Sequence, residues 1–256
     1  LRVENLTVDF KTYQGIARAV RHNSFILPEG QVLGIVGESG CGKSVTANSL
    51  LGLLPREKSI VTADVLSLEG NDLREYNETQ WEKIRGTKIG MIFQDPMTAL
   101  NPILTIGTQL NEAIARSGLE RKDWHTRAIQ LLTDVGISAP EERLHQYPHE
   151  FSGGMRQRIV IAMAIAGEPR LLIADEPTTA LDVTTEAQIL LLLKRILRDQ
   201  QMGMIFISHN LRVIAQMCDR VMVMYGGTKV EEGSVEAIFE HPSHPYTQGL
   251  LQSIPQ

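Results

Sequence analysis

The chain has 256 residues, 43% of them hydrophobic and 21% charged, which is enough apolar material for the core of one globular domain in two lobes. A formal net charge of −5, with no cluster of lysines and arginines along the sequence, argues against a general nucleic-acid binder, whose affinity comes from grouped cations, and leaves only a basic patch assembled by the fold. The two cysteines, Cys41 and Cys218, stand in no metal or disulfide spacing and point to a reducing compartment; no apolar run reaches the roughly 18 residues of a membrane span, so any membrane role must come through a partner.

In chain order, Val3, Leu6, Val8 and Phe10 alternate with polar neighbours and predict a half-exposed strand. Residues 16–27 predict a second strand, with Pro28-Glu29-Gly30 as the turn into an apolar third strand over 31–36. There follows Gly37-Glu38-Ser39-Gly40-Cys41-Gly42-Lys43-Ser44, which fits GxxxxGK[ST], and then a buried helix predicted over 45–54. Strand, glycine-rich turn and helix make a phosphate cradle, because successive backbone N–H groups and the positive end of the helix dipole face one anion. In such a P-loop Lys43 reaches the β- and γ-phosphates and the Ser44 hydroxyl binds Mg²⁺. An aromatic from the first strands would stack on the base, Phe10 first and Tyr13 second. The helix N-terminus around Cys41 leaves two readings open: a stabilised thiolate that thiol reagents attack, that ATP protects and whose modification stops hydrolysis, or a small side chain tolerated at a variable position.

Further strands are expected over 61–68 and 88–93, the latter ending in Gln94. From Asp95 the prolines Pro96, Pro102 and Pro140 punctuate a mainly helical insert with helical spacing over 106–116 and 123–135. His145 and His149 stand four apart, but Pro148 between them breaks the helix a shared metal would need. Ser152-Gly153-Gly154 then opens an apolar helix over 155–166, a second helix N-terminus with free N–H groups and hence a second candidate anion site.

The run 171–174 ends in Asp175 and Glu176, which a buried strand delivers to the carboxyl edge of a sheet, where α/β proteins place ligands. Asp175 is suited to Mg²⁺, and Glu176 to polarising the water that attacks a γ-phosphate. After Ala180-Leu181-Asp182 a helix is expected over 184–200, then a strand over 204–207 ending at Ser208-His209. His209 at that strand end can donate to a γ-phosphate oxygen. A helix over 210–218, a strand over 221–225, a Gly226-Gly227 hairpin into 229–231 and short surface helices over 234–256 complete the chain.

With these elements in order, the chain resembles the nucleotide-binding subunits of ATP-binding cassette transporters: Walker A at 37–44, the Q-loop at Gln94, the signature at Ser152-Gly153-Gly154, Walker B ending at Asp175 with Glu176 after it, the D-loop at 180–182 and the switch histidine His209. The signature reads Phe-Ser-Gly-Gly-Met where the commoner family form is Leu-Ser-Gly-Gly-Gln, so the phosphate-contacting role is carried onto Ser152, Gly153 and Gly154 only. Gln94-Asp95-Pro96-Met97-Thr98-Ala99-Leu100-Asn101-Pro102 and His241-Pro242-Ser243-His244-Pro245-Tyr246-Thr247 look like the dipeptide, oligopeptide and nickel importer branch.

The resemblance implies an α/β P-loop NTPase core, mainly parallel sheet with flanking helices, joined by an antiparallel β subdomain and an inserted helical subdomain. The core would be 1–94 with 156–233, the helical subdomain 95–155 and a C-terminal extension 234–256, all in one ATPase domain. It implies ATP and Mg²⁺ as cofactors, nucleotide contacts from residues 37–44 and Val45, and a metal shell of Ser44, Gln94 and Asp175. Glu176, His209 and Gln94 would serve catalysis, and Asp182 would face a second nucleotide-binding domain. The partners implied are that second domain, as a homodimer or heterodimer, membrane permease subunits and, indirectly, a solute-binding protein. The implied place is the cytoplasmic face of the inner membrane. The alternative is a non-transport cassette ATPase of DNA repair, chromosome structure or translation; the repair and chromosome members place long coiled coils between the P-loop and Ser-Gly-Gly, for which the interval from Gln94 to Ser152 is too short.

Overall fold

The structure is a computed structural model and describes residues 1–179 and 181–253. The chain forms two compact units: Leu1–Trp81 together with the described residues from Gly203 on, and Glu82–Met202. Both mix helix and strand, and the first holds antiparallel as well as parallel pairings, an α/β fold with an antiparallel sheet beside mainly parallel strands.

The first unit begins with the hairpin β1 (Arg2–Thr12) and β2 (Gly15–Ile26). The alternation of apolar residues buries Val3, Leu6 and Val8, and the break in spacing between Val3 and Leu6 is taken up by an irregularity at Asn5, whose φ is 52°. β3 (Val32–Val36) is buried at every position, as a continuous apolar run in a parallel sheet must be. Helix α1 spans Lys43–Leu50, shorter than the predicted 45–54. It stops because Gly52 N–H donates to Ser49 O and Leu53 N–H to Asn48 O, the paired bonds of a Schellman turn with a left-handed glycine after the cap.

The single strand expected over 61–68 is two: β4 (Ser59–Thr62) and β5 (Val65–Leu68), each antiparallel to β1. The break falls at Asp64, whose N–H bonds to Glu4 O while its carboxylate takes the Asn5 side chain and its carbonyl takes Arg74. These bonds fold the chain between two separate stretches of the same partner strand. The short β6 (Asn71–Asp72) pairs with β5, and α2 (Glu78–Ile84) carries the chain into the second unit.

In the second unit β7 (Ile89–Ile92) leads to the helical stretch α3 (Pro96–Ala99), α4 (Ile106–Ala115), α5 (Trp124–Asp134) and α6 (Pro140–Arg143). α4 and α5 bury Ile106, Leu110, Ile114, Leu131 and Leu132, the stripe that their helical spacing predicts. Helix α7 (Gly153–Ile165), β8 (Leu171–Asp175) and α8 (Val183–Gln200) complete it; β7 and β8 pair in parallel with Ile92 opposite Ala174.

The chain returns to the first unit with β9 (Gly203–Ile207), α9 (Leu211–Met217), β10 (Arg220–Tyr225) and β11 (Thr228–Ser234). β3 lies between β9 and β10 and is parallel to both, and β10 and β11 form the Gly226-Gly227 hairpin. The last helices, α10 (Val235–Glu240) and α11 (Pro245–Gln252), are not simply surface helices as expected: Ile238 and Thr247 are buried, and Tyr246 bonds to the backbone of Glu38. The end of the predicted tail, 254–256, lies outside the described residues.

Asn23 joins β2 to the β10–β11 hairpin. It is fully buried; its Nδ2 donates to Gly227 O at 3.2 Å and its Oδ1 accepts from Lys229 N at 2.7 Å. Asn23→Leu keeps the bulk but leaves the Lys229 N–H without its acceptor, while Gly227 O keeps the Arg21 N–H, so it costs about 1–3 kcal/mol and lowers the thermal midpoint by roughly 2–12 °C. Thermal unfolding followed by circular dichroism, wild type against variant, checks this.

Candidate functional site

In the first unit the loop after β3 is held by main chain on two sides. Gly37 has φ 150°, and a side-chain carbon there would sit 2.2 Å from Met224 O at the end of β10. Gly42 has φ 99°, and the same atom would sit 2.5 Å from Ala19 O of β2. Any larger residue at either position pushes the loop away from its neighbours. Cys41 O accepts from Gly227 N, which ties the loop to the β10–β11 hairpin as well.

Lys43, the first residue of α1, is 7% exposed, and its ammonium donates to Gly37 O at 2.8 Å and Glu38 O at 2.9 Å. The cation is thus held by the carbonyls of the first two residues of the loop. Ser44 beside it is exposed, Val45 is half-buried, and Glu38, Ser39 and Gly40 are exposed along the loop. Ile35 of β3 pairs with Ile207 of β9, so the exposed His209 leaves the same carboxyl edge as the loop. Of the two aromatics, half-buried Phe10 pairs with Ala17 on the strand that touches Gly42, while Tyr13 is fully exposed at the β1–β2 turn.

The expected Cys41 thiolate is not what the structure shows. The thiol is 4% exposed and packed against Gly37, and burial pushes its pKa above the ordinary 9.0, outweighing the pull of the Lys43 charge and the local N–H groups. Lys43 Nζ lies 3.9 Å from the sulfur, so a counter-charge is present, but removal of the thiol from water is the larger effect.

In the second unit the parallel pair β7 and β8 brings Gln94, Asp175 and Glu176 to one edge. Asp175 is 6% exposed at the last position of β8. Glu176 adopts a left-handed backbone, φ 47°, rare for a side chain of its kind and costing on the order of 1 kcal/mol or more, so its setting must hold it there. Gln94 Nε2 donates to Glu176 Oε2 at 3.1 Å, and Thr179 Oγ1 donates to the same oxygen at 2.8 Å. Sequence reasoning missed Thr179; its signal was the spacing of three residues from Glu176, the reach of a hydroxyl back to a carboxylate in a turn.

Ser152 caps α7, its hydroxyl accepting from Met155 N at 3.3 Å, with Gly153 and Gly154 as the first helical residues. Gly154 packs against Thr185, where a side-chain carbon would meet the Thr185 methyl at 2.5 Å, and Gly153 faces Leu181. The signature and the stretch after Ala180 are therefore adjacent; Ala180 itself lies outside the described residues. Asp182 caps α8, and the N–H and hydroxyl of Thr185 hold its carboxyl below the usual range.

Two results test the Cys41 assignment. In the folded protein at pH 8, iodoacetamide labels Cys41 at least about tenfold more slowly than after denaturation, with or without ATP, by peptide mass spectrometry. Its raised folded pKa contributes stability in full below the unfolded value and loses it as pH rises through the folded value, so Cys41→Ser flattens the fall of the thermal midpoint above pH 9.

The sequence matches the ABC transporter family over residues 20–179 and the oligopeptide/dipeptide transporter C-terminal region over 230–256. It is 54% identical to the dipeptide transport ATP-binding protein DppD of Bacillus subtilis, covering 100% of this chain and 77% of that protein. It is 50% identical to the oligopeptide transport ATP-binding protein OppD of the same organism, over 100% and 72%. Among solved structures, the dimeric ATP-binding cassette MJ0796 bound to ADP and Pi superposes with a TM-score of 0.78 at 26% identity, covering 91% of this chain and 98% of that one. With the family matched over more than half of the sequence and relatives about half identical along all of it, the chain belongs to the ABC transporter family.

Proposed function

We propose that this chain is the ATP-hydrolysing subunit of an importer for peptides or a related small solute such as nickel, pairing around ATP with a second nucleotide-binding domain and driving a membrane permease. The observation that carries the reading is the setting of Glu176, whose carboxylate is pinned by Gln94 and Thr179 at the end of a buried strand. A carboxylate so held is a general base with one orientation, aimed by its neighbours rather than by solvent. The names of the relatives, dipeptide and oligopeptide transport ATP-binding proteins, support peptides as the solute.

In this reading residues 37–45 cradle the phosphates, Lys43 exchanges its loop carbonyls for the β- and γ-phosphate oxygens, and an aromatic of the first hairpin, Phe10 or Tyr13, stacks on adenine. Glu176 takes a proton from the attacking water, His209 donates to the γ-phosphate, and Gln94 relays its state to the helical segment 95–155, which docks the permease. Ser152, Gly153 and Gly154 serve the ATP site of the partner domain, and Asp182 faces that partner. The residues assigned to Mg²⁺, Ser44 by its hydroxyl, Gln94 by its amide oxygen and Asp175 by its carboxylate, each offer the oxygen that Mg²⁺ takes; Gln94 spends its Nε2 on Glu176, which leaves Oε1 for a metal. When bound, Mg²⁺ supplies charge neutralisation on the phosphate oxygens.

Binding of ATP favours the closed pair, and hydrolysis releases it, so the difference in ATP affinity between closed and open states does the work. No helix among the described residues is long and apolar enough to cross a membrane; the chain sits on the cytoplasmic face of the inner membrane through its permease, with a solute-binding protein engaged indirectly. The DNA-repair alternative loses support from the interval itself, where α4 has 10 residues and α5 has 11, far short of a coiled-coil arm.

The test is Glu176→Gln. ATP hydrolysis falls by about 10²–10⁴-fold while ATP binding persists, and light scattering shows a dimer that needs both ATP and Mg²⁺. Hydrolysis at the wild-type rate in the variant overturns the assignment of the base.

A further inference from the structure

The phosphate loop is braced by a segment far away in sequence that none of the roles above uses. The Glu38 N–H donates to the Tyr246 hydroxyl at 3.1 Å across 208 positions of chain. The neighbouring Gly37 is at the same time in contact with Met224 O, next to Tyr225, and the rings of Tyr225 and Tyr246 lie 4.6 Å apart at 44°. Two successive residues at the entry to the loop are therefore fixed from the C-terminal side.

Tyr246 is itself held by a chain of polar contacts. Glu231 of β11 accepts from Ser243 N at 2.7 Å and His244 N at 3.1 Å, clamping the turn that leads into α11. His244 Nδ1 then accepts from Tyr246 N at 3.1 Å as the cap of that helix. Thr247 beside it is 1% exposed, so the segment is packed down. The loop end of the brace matters because Glu38 O, the carbonyl of the residue that Tyr246 grips, is one of the two acceptors holding the Lys43 ammonium.

We infer that Tyr246 is a positioning residue for the nucleotide site: through the Glu38 peptide it fixes the part of the loop that sets Lys43, and Glu231 and His244 hold it in place to do so. The inference rests on the reading of the loop as an ATP site. It makes the His-Pro-Ser-His-Pro-Tyr-Thr segment a strut for phosphate binding.

The test is Tyr246→Phe, which deletes one oxygen and keeps the ring against Tyr225. Binding of ATP and of inorganic tripolyphosphate is measured by calorimetry, and exchange of the Glu38 amide by mass spectrometry. The strut predicts that both ligands weaken alike, by about threefold to tenfold, and that the Glu38 amide exchanges faster. In a Glu38→Pro background, which lacks the N–H, Tyr246→Phe has no further effect; Glu231→Ala weakens both ligands, and Tyr246→Phe adds nothing to it. Unchanged affinity with unchanged exchange overturns the inference, as does loss of ATP binding alone, which would make the tyrosine pair a base-stacking surface. A wild-type chain that binds neither ligand overturns the ATPase reading instead, and the Glu38 exchange arm still decides whether the brace exists.

Discussion

The close approach of the phosphate loop to foreign main chain is the constraint on which the first unit depends. A loop of this kind makes few bonds within itself, here Cys41 N–H to Glu38 O, so its outer side is supported by other elements. Here Met224 O and Ala19 O come up against the two glycines, Gly227 N binds Cys41 O, and Tyr246 binds Glu38. The β10–β11 hairpin and the β1–β2 sheet therefore both abut the loop, and Asn23 joins the one to the other. Burial of Cys41 follows from the same crowding, and with it the loss of the reactivity that a helix N-terminus would otherwise confer.

The second unit meets a different demand, which is to present charge at the end of an apolar strand. β8 is buried throughout, and the chain turns through a left-handed Glu176 immediately after it. That backbone is unfavourable for a glutamate, and the hydrogen bonds from Gln94 and Thr179 fix its side chain there. Strain and polar contacts together leave the carboxylate few alternative positions, which is what the base proposed above requires.

Motifs whose chemistry is local were legible in the sequence. The P-loop is one, since its glycines, lysine and flanking strand and helix lie within one short stretch; the helix N-terminus at Ser152 and the strand delivering Asp175 are others, each dictated by near neighbours. What escaped depends on distant partners. The strand broken at Asp64 is set by Glu4, Asn5 and Arg74, and the burial of Cys41 and Thr247 comes from elements that no window of sequence contains. Tyr246 carries no local mark of its contact with Glu38, because that hydrogen bond exists only once the sheet has assembled.

The placement of β3 has a consequence for how the protein is made. Its five buried residues leave the ribosome well before both flanking strands, β9 and β10, which come after residue 202. At the roughly 5–20 residues per second of synthesis, the P-loop strand waits on the order of 10–40 s for the neighbours that cover it. During that interval a nascent chain carries the whole Walker A sequence without a finished cradle, and its apolar strand is open to chaperones. The strands that complete the bed of the loop thus arrive only with the C-terminal quarter of this sequence.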